Sequence, residues 1–352
     1  MALGMSPASS NLSFAVRFRP VGPWRFGPDS GARDRVDLIY HSDALFSAVC
    51  SAMSQLGLAE DWLQATAMSA DAPAVRFSSF FPFIGDTLLV VPPRNLWPPP
   101  ESTKIRYKGA HFVPLSVIES LLSDKAIDED RWAVDGESEC LVLANQGRGP
   151  FRVALRSSAG VDRLQNAAVE VHSTACLEFT RAGGLWTMVQ FADEAATSRW
   201  QAPVRSALLL LADSGLGGER SRGWGRSEAP EWQPWLPPKV LPPKGSPSQA
   251  PASEQPTDHA HWLLSLYTPA ENDTVDWKRG NYATVSRRGR IESSARWGEP
   301  KQPTTMIAEG SVLLASNELR GAASNVAPAG FPHPVFRAGF AVTVSIPWRV
   351  AA

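Results

Sequence analysis

The segment Gly215-Leu-Gly-Gly-Glu-Arg-Ser-Arg-Gly-Trp-Gly-Arg226 is the most unusual in the chain. It follows Pro203 to Ser214, a stretch typical of a helix with a proline near its start, and precedes a strand-like segment. Glycines lack a Cβ, so their backbone can approach a phosphate chain closely and aim N–H groups outward. The pattern predicts a helix–loop–strand connection that binds nucleic-acid phosphates, with a flexible surface turn as the alternative.

The loop also carries charge and an aromatic ring. Arg220, Arg222 and Arg226 supply the positive charge that backbone amides lack, and Trp224 offers a ring for stacking on a base. A mononucleotide P-loop follows a strand and ends in a Gly-Lys-Ser/Thr sequence, and this loop does neither. The residues predicted to bind RNA here are Gly215, Gly217, Gly218, Arg220, Ser221, Arg222, Trp224 and Arg226.

Upstream of this helix, the stretch from Phe151 to Phe191 is strand-like with a polar interruption. Val169 to Phe179 and the segment from Leu185 are predicted to pair as a hairpin through the turn Ala182-Gly-Gly184. The preceding stretch is basic, and it is either a solvated hairpin or an arm laid along nucleic acid. Its candidate RNA-binding residues are Arg152, Arg156 and Arg163, with His172 in the same stretch.

Downstream, Glu228 to Asp258 contains nine prolines and is predicted to be a linker, because proline stiffens a chain and cannot donate to a strand ladder. Strands resume at Trp262. A basic turn, Arg287-Arg-Gly-Arg290, is predicted between strands at Tyr282 to Ser286 and from Ile291 onward. A solvated turn is the ordinary interpretation, and an RNA contact through Arg287 and Arg288 is the alternative.

The N-terminal part begins with a strand over Leu12 to Phe18, whose alternation predicts one buried face and one open face carrying arginines. Ser42 or Asp43 can cap a helix with a buried face, which Gly57 ends. That face comprises Leu45, Val49 and Met53. Phe77 to Pro93 is predicted to form strands broken at Pro82 and Gly85. Together the elements predict an α+β protein with antiparallel sheets.

Composition restricts the kind of binding site. The 352 residues carry a net charge of −1, so a site for nucleic acid must be a local basic groove. The three cysteines are widely spaced, which predicts neither a zinc site nor a disulfide framework. No metal or cofactor is expected. No signal peptide or membrane-spanning run is recognisable, so we expect a cytoplasmic protein.

Two polar features could have a chemical role, namely His41 as a general base and Asp43 with Asp86 as a metal pair. His41 stands where a strand-like segment passes into a helix, and there an imidazole could act as general base on a ribose 2′-hydroxyl. No second acid or base is evident beside it, and a histidine that bonds a carbonyl or caps the helix is the commoner case. Asp43 and Asp86 are more typical of caps and turns than of a metal pair.

Several segments together resemble a known family. These are His41-Ser-Asp-Ala-Leu-Phe-Ser-Ala-Val, Phe80-Phe-Pro-Phe-Ile-Gly-Asp-Thr-Leu-Leu, the glycine–arginine loop, Ala308-Glu-Gly-Ser-Val and His333-Pro-Val-Phe-Arg-Ala-Gly-Phe. They are similar to segments of the guide-capping subunits of type III-A CRISPR (Csm) effector complexes, in the RAMP superfamily. The likeness extends in order from about Leu12 to Ile346.

The resemblance implies two ferredoxin-like domains of βαββαβ plan, at 1–228 and 260–352, joined by a linker at 229–259. It also implies a thumb-like hairpin at about 152–174, near target RNA, and binding of the repeat-derived 5′ tag of the guide RNA. His41 and Ser42 would assist the loop at the positive end of the helix dipole. The partners implied are a large polymerase-like subunit and a backbone RAMP subunit.

The resemblance favours binding without catalysis. An alternative with the same fold is a metal-independent RAMP endoribonuclease that processes the guide precursor with His41 as acid or base.

Overall fold

The computed structural model describes residues 12–28, 30–69, 72–99, 107–165, 167–235, 259–293, 295–296 and 298–348. Helices and antiparallel sheets are both present, which confirms the predicted α+β class. The described residues up to 235 are called the first domain here, and they contain four helices, α1 (Ser42–Gln55), α2 (Ala59–Ala65), α3 (Leu115–Leu122) and α4 (Glu194–Ser214). Its strands are β1 (Ser13–Phe18), β2 (Val75–Phe77), β3 (Phe81–Ile84), β4 (Thr87–Val90), β5 (Val113–Pro114), β6 (Trp132–Asp135), β7 (Cys140–Leu143), β8 (Phe151–Asp162), β9 (Ala167–Phe179), β10 (Gly183–Phe191) and β11 (Glu231–Pro234).

The main sheet of the first domain has the order β11-β1-β10-β3-β4-β5, with β2 also paired to β10. Strands β1, β3, β10 and β11 with helices α1 and α4 follow the βαββαβ plan that the resemblance implies. The last strand of that plan, β11, lies beside β1 at the sheet edge. The connection between α4 and β11 is the glycine–arginine loop, which therefore lies at one end of this sheet.

Strand β1 is buried on both faces over most of its length. Val16 and Phe18 are fully buried, as predicted, but Arg17 is only 6% exposed. Its guanidinium lies 5.4 Å from the centre of the Phe83 ring and 3.4 Å from a carboxylate oxygen of Asp86. The prediction of an open arginine face is therefore wrong at Arg17, because neighbouring side chains cover that face.

Strands β8 and β9 form a long antiparallel hairpin that runs from the pair Phe151–Phe179 to the pair Asp162–Ala167. The predicted hairpin of β9 with β10 is wrong. Strand β10 enters the main sheet instead, and its first glycines allow close contacts there. A Cβ on Gly184 would lie 2.5 Å from both the Phe18 carbonyl oxygen and the Phe83 ring.

Helix α4 begins earlier than predicted. It starts at Glu194, where the Asp193 carboxylate accepts a hydrogen bond from the amide of Ala196 at 2.7 Å. Pro203 lies in its interior rather than in its first turn. The Asp193 cap, followed by an acidic first turn, is the sequence signal that locates the true start.

The second domain is built from strands. They are β12 (His259–Leu263), β13 (Val275–Asn281), β14 (Thr284–Arg287), β15 (Thr304–Ile307), β16 (Val312–Ala315), β17 (Gly321–Asn325), β18 (Phe336–Phe340) and β19 (Thr343–Ile346). Four of them form a sheet in the order β13-β16-β12-β19, and β14-β15 and β17-β18 pair separately. Among its described residues this domain has no helix, so they do not contain the two helices of the expected βαββαβ plan.

Helix α1 of the first domain packs against the second domain. Leu45, Val49 and Met53 on its apolar face are fully buried, as predicted. The Phe46 ring meets the Phe340 ring edge-on, with centroids 5.5 Å apart. One hydrophobic cluster continues from the first sheet into β12 and β19, so the two domains share a core.

Two segments differ from the predicted boundaries. Strand β11 lies within the expected linker and pairs with β1 at the sheet edge, where a proline costs no ladder bond. Residues 236–258, with most of the linker prolines, lie outside the described residues. The turn at Arg287–Arg290 does not lead into a strand from Ile291, because β14 pairs with β15, which begins only at Thr304.

Among the described residues, we found no helix with the length and apolar character to cross a bilayer.

Candidate nucleic-acid interface

A cleft of about 720 Å³ lies between the two domains. The first domain contributes α1 and the start of the glycine–arginine loop, and the second contributes residues 287–293 and 333–337. The cleft therefore brings together two basic segments that are about 70 residues apart in sequence. Its lining includes two carboxylates, of Asp43 and Glu292, and six basic side chains, of Arg220, Arg287, Arg288, Arg290, Lys301 and Arg337.

The glycines allow the loop to pack tightly on the body of the first domain. Gly215, Gly217 and Gly225 have φ of +95°, +83° and +80°, a backbone region that favours glycine. A Cβ would lie 2.3 Å from the Arg25 carbonyl oxygen at Gly217, and 2.0 Å from the Leu216 carbonyl oxygen at Gly225. The glycine pattern thus correctly predicted that the loop backbone makes close contacts. The contacts seen here are with other backbone atoms of the protein.

Most of the characterised loop amides donate within the protein. Leu216 N–H donates to the Gly225 carbonyl at 3.0 Å, and Gly218 N–H donates to the Arg25 carbonyl at 2.8 Å. The amides of Gly215, Arg222, Gly223, Trp224 and Gly225 also donate to backbone carbonyls. These seven amides donate to protein carbonyls in this arrangement, and the predicted role of the loop in phosphate binding stays a prediction.

The arginine side chains of the loop remain at the surface, each beside a carboxylate. Arg220 donates to both carboxylate oxygens of Glu292 at 2.9 Å, and this pair spans the two domains. Arg222 lies 3.2 Å from Glu219. Arg226 donates to Asp213 at 2.9 Å. Exposed pairs of this kind contribute at most about 1 kcal/mol, so a phosphate can displace the carboxylate at little cost.

Trp224 is only 8% exposed. It follows a short 3₁₀ turn, Arg220–Arg222, which Gly223 ends. The prediction that Trp224 stacks on a base is wrong in this arrangement because its ring is covered. The burial follows from the packing of the loop against the first domain, which the loop sequence alone does not reveal. Ser221 is exposed at the outer side of the turn.

A buried charge cluster forms the wall of the cleft. Arg287, 8% exposed, donates to Asp43 through Nε at 3.2 Å and through Nη2 at 3.1 Å. Arg337 also donates to Asp43 through Nη1, and to the Arg288 carbonyl at 2.9 Å. Burial opposes ionisation of Asp43, but the two guanidinium groups outweigh it and lower the carboxyl pKa. Two guanidinium groups facing one carboxylate leave the wall positively charged.

Arg287 is therefore mainly a link between domains, and the prediction that it contacts RNA directly is not supported by its burial. Its neighbour Arg288 is exposed in the cleft. Burial, followed by the nearby Arg337, lowers the pKa of the Lys301 ammonium group. Sequence reasoning missed Arg290, Lys301, Arg337 and His333 as members of one cleft, although all but Lys301 belong to the quoted Arg287–Arg290 and His333–Phe340 segments.

His41 and Ser42 do not line the cleft with Arg220. The Ser42 hydroxyl accepts from the Leu266 amide at 3.0 Å, and the Ser42 amide donates to Ser79 Oγ at 2.8 Å. His41 Nδ1 lies 2.8 Å from Glu309 Oε1. The predicted phosphate contact at the start of α1 is wrong for Ser42, because its amide and hydroxyl connect α1 to other protein segments.

The His41–Glu309 contact is a buried ion pair between the domains. The Glu309 side chain is 3% exposed and also accepts from Ser79 Oγ. Burial favours neutral imidazole, but the Glu309 carboxylate outweighs burial and raises the His41 pKa. Reciprocally, His41 and Ser79 hold the Glu309 pKa below its usual value against the effect of burial. His41 thus has an orienting carboxylate that the sequence did not indicate.

The basic residues of the hairpin lie on its exposed surface. Arg152 and Arg156 both donate to Glu178, at 2.9 and 2.8 Å for their Nη2 atoms. Arg163 is exposed near the tip. Arg222 of the loop reaches His172 Nε2 at 3.4 Å, so the hairpin and the loop are neighbours. The basic residues of the β8–β9 hairpin and those of the glycine–arginine loop therefore lie on one continuous surface.

Comparison with known proteins gives both a domain match and fold matches. Residues 257–346 match the family model described as the CRISPR Csm4 C-terminal domain. A chain of the Csm3–Csm4 subcomplex of the type III-A CRISPR-Cas interference complex has a TM-score of 0.60 and 15% identity, over 96% of this chain and 99% of that chain. No curated protein matches the sequence.

Two further matches come from crystal structures of the Csm1–Csm4 cassette. The chain in the complex with cA4 gives a TM-score of 0.55 at 17% identity, and the chain in the complex with pppApA gives 0.53 at 18%. Each covers 96% of this chain and 98% of the other. At such identities these matches concern the fold, and they extend over nearly the whole chain.

The fold of nearly the whole chain is therefore that of chains found in type III-A CRISPR complexes. The match of residues 257–346 to the Csm4 C-terminal domain agrees with the resemblance identified from the sequence.

Proposed function

We propose that this chain binds the repeat-derived 5′ tag of the guide RNA, without catalysing its cleavage, as a subunit of a cytoplasmic type III-A complex. The observation that carries the proposal is the meeting of Arg220 and Glu292 across a cleft lined by six basic groups. The exposed cations Arg220, Arg288 and Arg290 bind the phosphates. The buried Arg287 and Arg337 add positive potential from the wall.

The tag is single-stranded, so its phosphates and base edges are both accessible to a cleft of this size. On entry, a phosphate takes the place of Glu292 beside Arg220. Arg220 contacts both oxygens of Glu292 through Nη2 alone, so an entering phosphate can accept from Nη2 and from a second guanidinium nitrogen. Arg222, Arg152, Arg156 and Arg163 extend the basic surface from the loop toward the hairpin tip, where target RNA passes.

The protein partners follow from the similar structures. Chains of this fold occur in a Csm3–Csm4 subcomplex and in Csm1–Csm4 cassettes. The chain accordingly contacts a backbone RAMP subunit on one side and the large polymerase-like subunit on the other. The predicted thumb, about 152–174, falls within the β8–β9 hairpin, and its proposed role is to separate guide from target.

The endoribonuclease alternative requires His41 beside the guide precursor, and His41 does not line the cleft proposed to hold the tag. Glu309 binds its Nδ1, and the ring lines a different cleft from the one that contains Arg220. Incubation of the purified chain with repeat RNA in the absence of metal should leave the RNA intact. Site-specific cutting that is lost in His41→Ala would support the enzyme instead.

Binding is tested with the full chain, tagged guide RNA and a double variant, Arg220→Ala with Arg288→Ala. The matched control is Arg131→Ala with Arg199→Ala, which removes two exposed arginines that do not line the cleft. The cleft variant should bind more weakly, with a salt dependence lower by about 0.7 per lost phosphate contact. Equal affinities of the cleft variant and the wild type at two salt concentrations would refute the proposal.

A further inference from the structure

A second cleft, of about 840 Å³, lies near the start of α1 and is distinct from the first. Its lining includes His41 and Glu309, together with Arg94, Lys108 and Trp97. None of these five residues lines the cleft that contains Arg220. The segment His41–Asp43 thus contributes to both clefts, with His41 in one and Asp43 in the other.

The polar wall of the second cleft is held in place by buried groups. Glu309 accepts from Ser79 and binds His41 Nδ1, so the imidazole cannot turn without breaking that ion pair. Because Nδ1 of His41 is bound to Glu309, Nε2 is the ring nitrogen on the opposite side of the imidazole. Glu309 accepts from Nδ1–H, and its carboxylate raises the His41 pKa and so favours the imidazolium form, in which Nε2 is also a donor.

The mouth of the second cleft adjoins an exposed aromatic and basic surface. Asn281 Nδ2 donates to the Arg94 carbonyl at 3.3 Å, which joins the end of β13 to the cleft. Beside it, Trp277 and Tyr282 are 37% and 39% exposed, with ring centroids 5.4 Å apart at an interplanar angle of 76°. Between them, Lys278 and Arg279 are exposed on β13, an edge strand of the second sheet.

We propose that this second cleft and the Trp277–Tyr282 surface form a further binding site for single-stranded RNA. A phosphate binds Arg94 and Lys108, a base enters beside Trp97 and His41, and the following bases stack on Trp277 and Tyr282. Exposed rings interleaved with cations are the chemistry by which proteins bind unpaired nucleic acid. The inference rests on the proposed function only in taking RNA as the ligand of this chain.

Single-stranded RNA fits this surface better than a duplex. A duplex hides the faces of its bases, so two rings standing nearly perpendicular to each other would have nothing on which to stack. Splayed bases can use both rings. Cations are present at both parts of the surface, with Arg94 and Lys108 in the cleft and Lys278 and Arg279 exposed on β13.

The test uses the full chain, a short single-stranded RNA containing 4-thiouridine, and the variant Trp277→Ala with Tyr282→Ala. We expect affinity to fall at least about fivefold for each ring that stacks on a base. Photocrosslinks mapped by mass spectrometry should include Trp277 or Tyr282. The unfolding temperature of the variant is measured as well, and binding is compared well below it, where both proteins are folded. Leu209→Ala, which truncates another exposed apolar side chain, should bind normally.

A second variant, Arg94→Ala with Lys108→Ala, should reduce the salt dependence of binding. Unchanged RNA affinity in both variants, with crosslinks only elsewhere, would overturn the inference. So would unchanged RNA affinity combined with weaker binding of a partner subunit, which would identify the surface as a protein contact. The Arg220→Ala, Arg288→Ala variant in the same assay distinguishes failure of the tag site from failure of this one.

Discussion

Asp43 of α1 and Arg287 of β14 form a bidentate pair, at 3.2 and 3.1 Å, that is buried at the boundary between the two domains. The pair unites the segment that begins the first helix with the basic segment of the second domain. Arg337 binds the same carboxylate, so Asp43 neutralises only part of the positive charge around it. The cleft wall therefore combines a structural link with a positive potential.

Removal of this carboxylate should destabilise the protein strongly. Asp43→Asn leaves two buried guanidinium groups without their counter-ion, and breaking a buried pair from one side costs about 3–5 kcal/mol. The free energy of unfolding measured in urea should fall by that amount. Asp61→Asn, which removes the exposed partner of Arg199, is the control and should change the stability by less than about 1 kcal/mol. A near-wild-type Asp43→Asn would mean that the pair is not a link between the domains.

Two glycines of the glycine–arginine loop allow the stability cost of a close contact to be separated from the cost of a left-handed backbone. Gly223 and Gly225 have almost the same φ, +78° and +80°, but a Cβ at Gly225 meets the Leu216 carbonyl at 2.0 Å whereas one at Gly223 meets nothing within 4 Å. Gly223→Ala should therefore cost about 1–2 kcal/mol in unfolding free energy, from the left-handed backbone alone. Gly225→Ala should cost clearly more and should weaken RNA binding. Equal costs for the two variants would show that the loop does not pack as described.

The His41–Glu309 pair should make stability depend on pH. The folded protein raises the His41 pKa, so the stabilisation is complete below about pH 6.5, the ordinary histidine pKa, and is lost as pH rises through the folded value. The difference in unfolding free energy between wild type and His41→Gln should therefore be largest near pH 6 and should shrink at alkaline pH. A difference that does not vary with pH, or that grows toward alkaline pH, contradicts the ion pair. His333→Gln at an exposed histidine serves as the control.

Glu292 should compete with RNA for Arg220. Glu292→Gln removes the carboxylate that binds this guanidinium while keeping a side chain of similar size, so tag RNA should bind a few-fold more tightly at low salt. The gain should vanish in the Arg220→Ala background. Asp61→Asn breaks a comparable exposed pair remote from the cleft and should leave RNA affinity unchanged. Tighter binding that persists without Arg220 would indicate a non-specific charge effect.

Local patterns in the sequence determined the fold class, because they depend on neighbours along the chain. The spacing of Leu45, Val49 and Met53 predicted the buried face of α1, and Gly85 marks the turn between β3 and β4. The resemblance identified the family and the βαββαβ plan of the first domain. The pairing partners of β9 and β14 were predicted wrongly, because strand pairing depends on segments that are distant in sequence.

The sequence by itself determined which groups this protein carries: a glycine-rich bend, a row of arginines, and an apolar helix face with polar residues at its start. Only the tertiary structure decided where each group lies. Arg287 and Arg288 are adjacent in sequence, yet one is buried against Asp43 and the other is exposed in the cleft. The physical reason is that side-chain burial and ionic pairing are set by the second domain docking on α1, and local sequence does not encode that contact.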